Sequence, residues 1–258
     1  MQDFTQLKYE LIGHVAVLSM NNAPVNALSR TLSDELTAAL DYISEIPEVR
    51  AVVLTGIGKI FCAGADLKGR ASVIKGPGDL PAHSRRTREC FHAIRECTKP
   101  VIVAINGPAL GAGLAIAASA DMLITSDKGC IALPEIDVGL LGGGSHAARL
   151  FPHSTLRRMM FTGYRVQADE LYRLGVVLQI TTPEGLMPAA LELANTVASK
   201  SPLSVGLAKQ TLNAIEDMSL RDGYRYEQDM TAAIAKTEDA KEAQRAFLEK
   251  RAPVFVGR

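Results

Sequence analysis

The stretch INGPALGAGLAIAASAD, from Ile105 to Asp121, decides which folds this 258-residue chain can adopt. It contains three glycines and six alanines, and no ionisable side chain precedes Asp121. Such a segment can pack tightly, either as a core helix or as a glycine turn where two backbones touch. It can also offer unpaired backbone N–H groups to an anionic atom, because small side chains let a ligand approach the backbone. The rest of the chain has to decide between these interpretations.

The residues around this stretch alternate between strand and helix patterns. Short apolar runs predict strands over 14–20, 50–56 and 101–106, and leucines at helical spacing predict a helix over Thr31–Ile46. This alternation predicts an α/β core whose ligand loops lie at the ends of strands. After about Ser145 the patterns are helical and are separated by proline and glycine, and there is no internal repeat.

Composition and charge exclude several classes of protein. The formal net charge is zero, from 28 basic and 28 acidic residues, which argues against binding to nucleic acid or to a membrane surface through bulk electrostatics. The four cysteines form no CxxC pair and, with the five histidines, fit no zinc motif, so we expect free thiols and no metal. The sequence carries no signal-peptide pattern and no apolar run of about 18 residues. We therefore expect a cytoplasmic protein.

The glycine-rich motifs do not predict a nucleotide site or a serine hydrolase. GPALGAG (107–113) and GLLGGGS (139–145) lack the GxGxxG spacing after a strand, and TGIGKIF (55–61) lacks the Ser or Thr that follows Lys in a P-loop. No GxSxG motif is present, and Ser145 and His146 are adjacent, so on a helix they point in different directions. Because Ser145 follows three glycines, we expect it to be a helix N-cap.

Two separated turns share a different feature. GKIFCAGADLK (58–68) follows one predicted strand, and INGPALGAGLA (105–115) follows another. Each passes through small residues towards a helix, where backbone N–H groups are left unpaired. Two such donors aimed at one point would form an oxyanion hole. Glycine turns after strands are common, so spacing alone leaves this interpretation open.

Five segments of the chain, taken together, resemble a known family. They are NAPVNALS (22–29), FCAGADLK (61–68), INGPALGAGLAIAASAD (105–121), LPEIDVGLLGGG (133–144) and AFLEKRAPVFVGR (246–258). Their identity, order and spacing are similar to those of the enoyl-CoA hydratase/isomerase family, the crotonases. The resemblance covers nearly the whole chain. It identifies the superfamily more firmly than the reaction.

The resemblance implies an α/β fold of the crotonase type, a spiral of β-β-α repeats followed by a C-terminal helical trimerisation region. On this basis residues 1–200 form the spiral core with the CoA-thioester site, and residues 201–258 form a helical region for assembly and CoA contact. The implied substrate is an acyl-CoA, with coenzyme A as part of the substrate and no separate cofactor. The implied assembly is a homotrimer, or a hexamer built as a dimer of trimers.

The resemblance also implies an oxyanion hole made by the backbone N–H groups of Ala63 and Ala112. Each donor of this kind stabilises enolate charge by about 3–4 kcal/mol more than the ground state. The CoA-binding or substrate-binding residues implied by motif position are Val25, Ala27, Asp66, Leu67, Gly111, Gly143, Phe247 and Lys250. Lys250 would pair with a phosphate as a point charge, and the alternative for it is a solvated helix face.

One of the two acids typical of hydratases in this family is missing. The chain has Ala115 at the first position and retains Glu135 at the second. Two carboxylates hold and activate a water molecule in hydration, whereas a single carboxylate still moves a proton between carbons. We expect Glu135 to be partly desolvated, with its pKa raised towards a useful working value.

Two further residues near Glu135 are candidates for the catalytic site or the acyl pocket. Ser145 and His146 stand where the family usually carries glycine, so His146 could donate a second proton, cap the turn or narrow the pocket, and we favour a structural role. Asp137 would point to the same side as Glu135 if the segment is extended, but further along it.

The sequence therefore favours a CoA-thioester enzyme that uses one acid–base glutamate, with isomerase-type proton transfer ahead of hydration. Hydratase–lyase action, decarboxylation and hydrolysis remain alternatives, because the same oxyanion hole serves an enolate in each. A non-catalytic acyl-CoA-binding or RNA-binding relative is a further alternative, against which Glu135 and the zero net charge argue. We expect residues 71–86, which should line the acyl pocket, to form an irregular loop.

Overall fold

The computed structural model describes residues 3–258, and its strands form two sheets. The strands are β1 (Leu7–Ile12), β2 (Val15–Met20), β3 (Ala51–Gly56), β4 (Val101–Ile105), β5 (Pro108–Leu110), β6 (Met122–Ser126), β7 (Cys130–Ala132), β8 (Arg165–Gln167) and β9 (Ile180–Thr181). The larger sheet has the order β1-β2-β3-β4-β6-β9, and it is parallel except for the β1–β2 hairpin. The smaller sheet has the order β5-β7-β8.

Helices separate most of the strands and make up most of the last third of the chain. They are α1 (Arg30–Glu45), α2 (Leu67–Val73), α3 (Asp79–Glu96), α4 (Ala112–Ser119), α5 (Gly144–Ala148), α6 (His153–Thr162), α7 (Ala168–Arg173), α8 (Pro183–Ala198), α9 (Pro202–Ile215), α10 (Leu220–Ile234) and α11 (Glu238–Glu249). A short 3₁₀ helix covers Pro134–Val138. The predicted α/β class is confirmed, and α9, α10 and α11 lie within residues 201–258.

The central strands β2, β3 and β4 of the larger sheet are buried on both faces, which explains their continuous apolar sequences. All six residues of β3 are buried. One face packs against α1, whose Leu32, Leu36 and Leu40 are buried as their helical spacing predicted. The other face packs against the alanine-rich side of α8. Parallel strands covered on both faces are typically apolar throughout, because neither face meets water.

Helix α4 accounts for the small residues of the opening stretch. Every residue from Gly113 to Ser119 is buried, so this helix has no polar face to present to solvent. Gly113 approaches the neighbouring turn so closely that a Cβ built on it would lie 2.5 Å from the Cys62 carbonyl oxygen. Tight packing is therefore one reason for the small residues. The other is the N-terminus of α4, where small side chains leave backbone N–H groups open to a ligand.

Three local expectations are wrong. Most of residues 71–86 is helical, because α2 extends to Val73 and α3 begins at Asp79. Ser145 is not an N-cap, since Gly143 precedes α5 with a φ of +74° and Ser145 lies inside the helix. Glu135 and Asp137 lie in a 3₁₀ helix and not in an extended segment. Within residues 3–258, no helix has the length and apolar character to cross a membrane.

Candidate active site

A cavity of about 600 Å³ lies where the loops after β3 and β5 meet α3, the 3₁₀ helix and the start of α5. It brings together a majority of the residues predicted for the site, although they are distant in sequence: Ala63, Leu67, Gly111, Ala112, Glu135, Asp137, Gly143 and His146. Ala115, which replaces the first acid, lines the same cavity.

The two predicted turns are joined by backbone hydrogen bonds. The Cys62 N–H donates to the Pro108 carbonyl at 3.2 Å, and the Leu110 N–H donates to the Cys62 carbonyl at 2.9 Å. Further along, Gly64 has a φ of +105°, and a Cβ built on it would lie 3.2 Å from the Leu110 carbonyl oxygen and 3.9 Å from the Ala112 nitrogen. Glycine at 64 therefore lets the first turn lie directly against the N-terminus of α4.

The backbone donors of the first turn differ from the prediction. The Ala63 N–H donates to the Val25 carbonyl at 3.1 Å, so it is already paired. Around Ala65, the Leu28 N–H donates to the Gly64 carbonyl at 2.7 Å and the Asp66 N–H donates to the Leu28 carbonyl at 3.2 Å. Leu28 thus pairs with the residues on either side of Ala65. In a parallel bridge of this kind the N–H of the middle residue, here Ala65, points away from the partner segment.

Ala65 and Ala112 therefore carry the free donors of this site. No acceptor within residues 3–258 pairs with the N–H of Ala65, or with that of Ala112 in the first turn of α4. The prediction of Ala63 as a free donor is therefore wrong, whereas the role of Ala112 as a donor to substrate stays a prediction. The sequence held no signal for this choice, because it depends on which N–H pairs with Val25.

Glu135 lies beside the Ala112 donor. Its Oε1 lies next to Gly111, so a side chain at that position would have to displace the carboxylate. Its Oε2 is buried and has no hydrogen-bond partner in the described part of the chain. Burial raises the pKa of Glu135 above its ordinary value, and only its own backbone N–H opposes this effect. The carboxylate is therefore poorly stabilised in its ionised form and is disposed to accept a proton.

His146 and Asp137 have different surroundings. The His146 ring packs edge-on against Phe91, with 5.0 Å between ring centroids and an interplanar angle of 69°. Burial lowers the pKa of His146, and the nearby Arg149 and His92 lower it further, so the ring is neutral at pH 7. Asp137 lies about 240° around the 3₁₀ helix from Glu135, and its Oδ2 faces Gly163 at the end of α6. The expected shared orientation of the two acids is thus wrong.

The remaining predicted CoA-binding residues do not line this cavity. The Asp66 carboxylate caps α2 by accepting the Gly69 N–H at 3.0 Å. The Val25 carbonyl accepts the Ala63 N–H, and the Ala27 carbonyl accepts hydrogen bonds from Asn22 and Ser29 within the turn that precedes α1. On α11, Phe247 is 82% exposed and Lys250 ends the helix in a left-handed conformation. Contact between these residues and CoA stays a prediction.

The α2 and α3 wall of the cavity carries basic and polar side chains that the sequence analysis missed. Arg70, His83 and Arg88 line the cavity together with Ser84 and Thr87. Of these, His83 and Ser84 lie within residues 71–86, which were expected to be irregular, so no helical face could be assigned to them.

Comparison with known proteins shows the family to which the chain belongs. Residues 10–258 match the model of the family described as Enoyl-CoA hydratase/isomerase. A putative enoyl-CoA hydratase from Thermus thermophilus is 36% identical over 247 residues, which cover 94% of this chain and 98% of that protein. The carnitinyl-CoA dehydratase of Citrobacter koseri is 32% identical, with 95% and 96% covered. An enoyl-CoA hydratase structure from Bacillus anthracis superimposes with a TM-score of 0.93 at 31% identity, covering 98% of this chain and 100% of that one.

Proposed function

Because this chain belongs to the enoyl-CoA hydratase/isomerase family of crotonase-fold enzymes that act on CoA thioesters, we propose that it forms a thioester enolate in this cavity. The N–H groups of Ala65 and Ala112 hold the thioester oxygen, and Glu135 transfers the proton. The observation that carries the proposal is the placement of one buried, unpartnered carboxylate beside two unpaired backbone donors.

The chemistry follows from where charge develops. Removing a proton from the carbon next to the thioester places negative charge on the thioester oxygen. The two N–H groups are fixed before the reaction by the joined turns, so they need no reorganisation when the charge appears. Losing one such donor typically lowers kcat by about 10²- to 10³-fold.

A single carboxylate at the reacting carbons favours double-bond isomerisation. Glu135 accepts the proton from C2 of a 3-enoyl thioester, the electron pair delocalises onto the thioester oxygen, and Glu135 returns the proton to C4 to give the 2-enoyl thioester. No atom is gained or lost. Support comes from Ala115, which is 3% exposed, lines the cavity and presents a methyl group where a water-holding acid would be needed.

Hydration or dehydration is the second candidate. The Thermus relative is named a putative enoyl-CoA hydratase and the Citrobacter relative a carnitinyl-CoA dehydratase. In this chain the neutral imidazole of His146 lines the cavity and would take the place of the absent acid as a second proton-transfer group. A hydratase–lyase, decarboxylase or hydrolase would use the same enolate hole, and the non-catalytic alternative conflicts with the unpaired donors and with Glu135.

We further propose that the enzyme needs no cofactor besides the CoA carried by its substrate, and that it assembles as a trimer or a dimer of trimers. Support for assembly comes from apolar side chains left on the surface of the C-terminal helices, including Leu220, Phe247 and Leu248. Exposed apolar side chains grouped on neighbouring elements are typical of protein interfaces.

The test is mass spectrometry of 2-enoyl and 3-enoyl thioesters incubated with the enzyme in deuterated water. We expect deuterium uptake and migration of the double bond without a gain of water, and both should be lost in Glu135→Gln. Glu192→Gln, an exposed glutamate on α8, is the matched control and should behave like the wild type. A gain of water would favour the hydratase candidate, and loss of carbon dioxide or of free CoA would favour the decarboxylase or hydrolase. Unchanged thioesters would refute the proposed function.

A further inference from the structure

The face of α3 that borders the cavity is polar, which is unusual for a wall expected to hold an acyl chain. His83, Ser84, Thr87, Arg88 and Phe91 all line the cavity. At 100° per residue these five positions fall within one face of the helix. Phe91 alone is apolar, and it lies at the inner end, where it packs against His146. The outer part of the face therefore offers charge and hydrogen bonds in place of apolar surface.

Arg70 strengthens this cationic wall from the other side. It lies in the last turn of α2, is half-buried and lines the same cavity. Within residues 3–258 its guanidinium makes no ion pair, and no hydrogen bond from it is present. The guanidinium is therefore available to an anionic group that enters the cavity, and its planar pair of donors suits a carboxylate.

The carboxylates nearby do not neutralise this wall. Asp34 pairs with Arg86 at 2.5 Å, and Arg88 reaches its neighbour Glu89 only at 3.7 Å. Burial lowers the pKa of His83, and the charges of Arg70, Arg30 and Arg86 lower it further, so the field at this end of the cavity is positive. The acids that line the cavity, Glu135 and Asp137, belong to the 3₁₀ helix on a different wall.

We propose that the wall formed by Arg70, His83 and Arg88 binds a carboxylate at the far end of the acyl chain, so that the preferred substrate is the CoA thioester of a dicarboxylic acid. The inference rests on the proposed function, since it assumes that the thioester lies between Ala65, Ala112 and Glu135. Arg70 supplies a planar pair of donors that matches carboxylate geometry. His83, Ser84 and Thr87 supply neutral hydrogen-bonding groups around it. Leu67, Leu140 and Leu141, which also line the cavity, contact the methylene groups between the two ends.

Phosphate groups of CoA are the main competing ligand for the same cations, so the experiment separates them from the acyl chain. Calorimetry measures the affinity of three ligands: saturated ω-carboxyacyl-CoA thioesters of four to eight carbons, the methyl esters of the same compounds, and free CoA. Saturated chains bind without reaction, so the result does not depend on which reaction the enzyme catalyses. Wild type is compared with Arg70→Met, with Arg70→Lys, and with Arg85→Met, an exposed arginine of α3 outside the cavity.

For at least one chain length, we expect the wild type to bind the carboxylate at least 10-fold more tightly than its methyl ester. Arg70→Met should remove 10-fold or more of the affinity for the carboxylate and change the affinity for the ester and for CoA by less than threefold. Arg70→Lys should fall between the two, because a lysine cannot bind a carboxylate bidentately. Arg85→Met should match the wild type, and thermal unfolding of every variant should confirm that it is folded.

Three results would overturn the inference. Equal losses for the carboxylate, the ester and CoA would mean that Arg70 binds the phosphates. A wild-type preference for the ester at every chain length would mean that the outer cavity binds apolar chains, while the proposed function would stand. Failure to bind any thioester, with free CoA also unbound, would remove both the inference and the proposed function.

Discussion

Replacing Glu135 with glutamine should lower activity and raise stability at the same time. General acid–base groups contribute about 10²- to 10⁴-fold to rate, equivalent to about 3–5 kcal/mol of activation free energy at 1.36 kcal/mol for each factor of ten. Glutamine keeps the shape of the side chain next to Gly111 but cannot accept the proton. We therefore expect Glu135→Gln to lower kcat by 10²- to 10⁴-fold for any thioester that the wild type converts.

The effect on stability has the opposite sign because of the buried carboxylate. Burial raises the pKa of Glu135 in the folded protein above its ordinary value of 4.5. Stability that comes from such a group is present below its unfolded-state pKa and is lost as the pH rises through the folded-state pKa. At neutral pH the wild type thus holds an ionised group that the fold disfavours, and the glutamine variant does not.

Two assays check this pair of effects. Thermal unfolding should give a higher Tm for Glu135→Gln than for the wild type at pH 7, and the difference should shrink as the pH falls towards 4. The kcat/KM of the wild type should fall on the acid side with an apparent pKa above that of an ordinary carboxyl. Glu192→Gln, with an exposed side chain, should leave both properties unchanged. Wild-type activity in Glu135→Gln, or a lower Tm at pH 7, would refute the reasoning.

Two other substitutions test packing, one at the site and one at a buried ion pair outside it. Gly111→Ala should abolish activity more completely than Gly139→Ala. Both glycines have positive φ, but only a side chain at 111 collides with Glu135, since a Cβ at Gly139 would have nothing within 4 Å. Comparable kcat values for the two variants would contradict this prediction. Lys209→Met should lower the free energy of unfolding by about 3 kcal/mol, because it removes the buried ammonium group that pairs with Asp121 at 2.8 Å. Denaturant titration measures this loss. An unchanged midpoint of the unfolding transition would show that Asp121 is adequately solvated without its partner.

The sequence predicted the elements whose pattern follows from burial. Burial in the core determines both the leucine spacing of α1 and the apolar runs of β2, β3 and β4. These elements could therefore be predicted from the sequence alone. The convergence of Glu135, Gly111 and Ala112 on one cavity was implied by the resemblance to the crotonase family, because the spacing of the turns alone left it open.

The failures share a different cause, which is dependence on contacts between distant segments. Ala63 was predicted as a donor, but the Val25 carbonyl pairs with its N–H, and Ala65 is left free. Residues 71–86 were expected to be irregular because their glycine, proline and charged side chains hide the helical start of α3 at Asp79. The first turns of α3 border the cavity with polar side chains, so the apolar spacing of this helix is confined to its second half, at Cys90, Phe91 and Ile94.

A crystal structure of Glu135→Gln with a bound 3-enoyl-CoA would test the central claim most directly, because it locates the thioester oxygen. We predict that the thioester oxygen lies about 2.7–3.1 Å from the backbone nitrogens of both Ala65 and Ala112, while the Ala63 N–H stays paired with the Val25 carbonyl. A thioester oxygen bound to the Ala63 N–H, or one held outside this pair of turns, would contradict it.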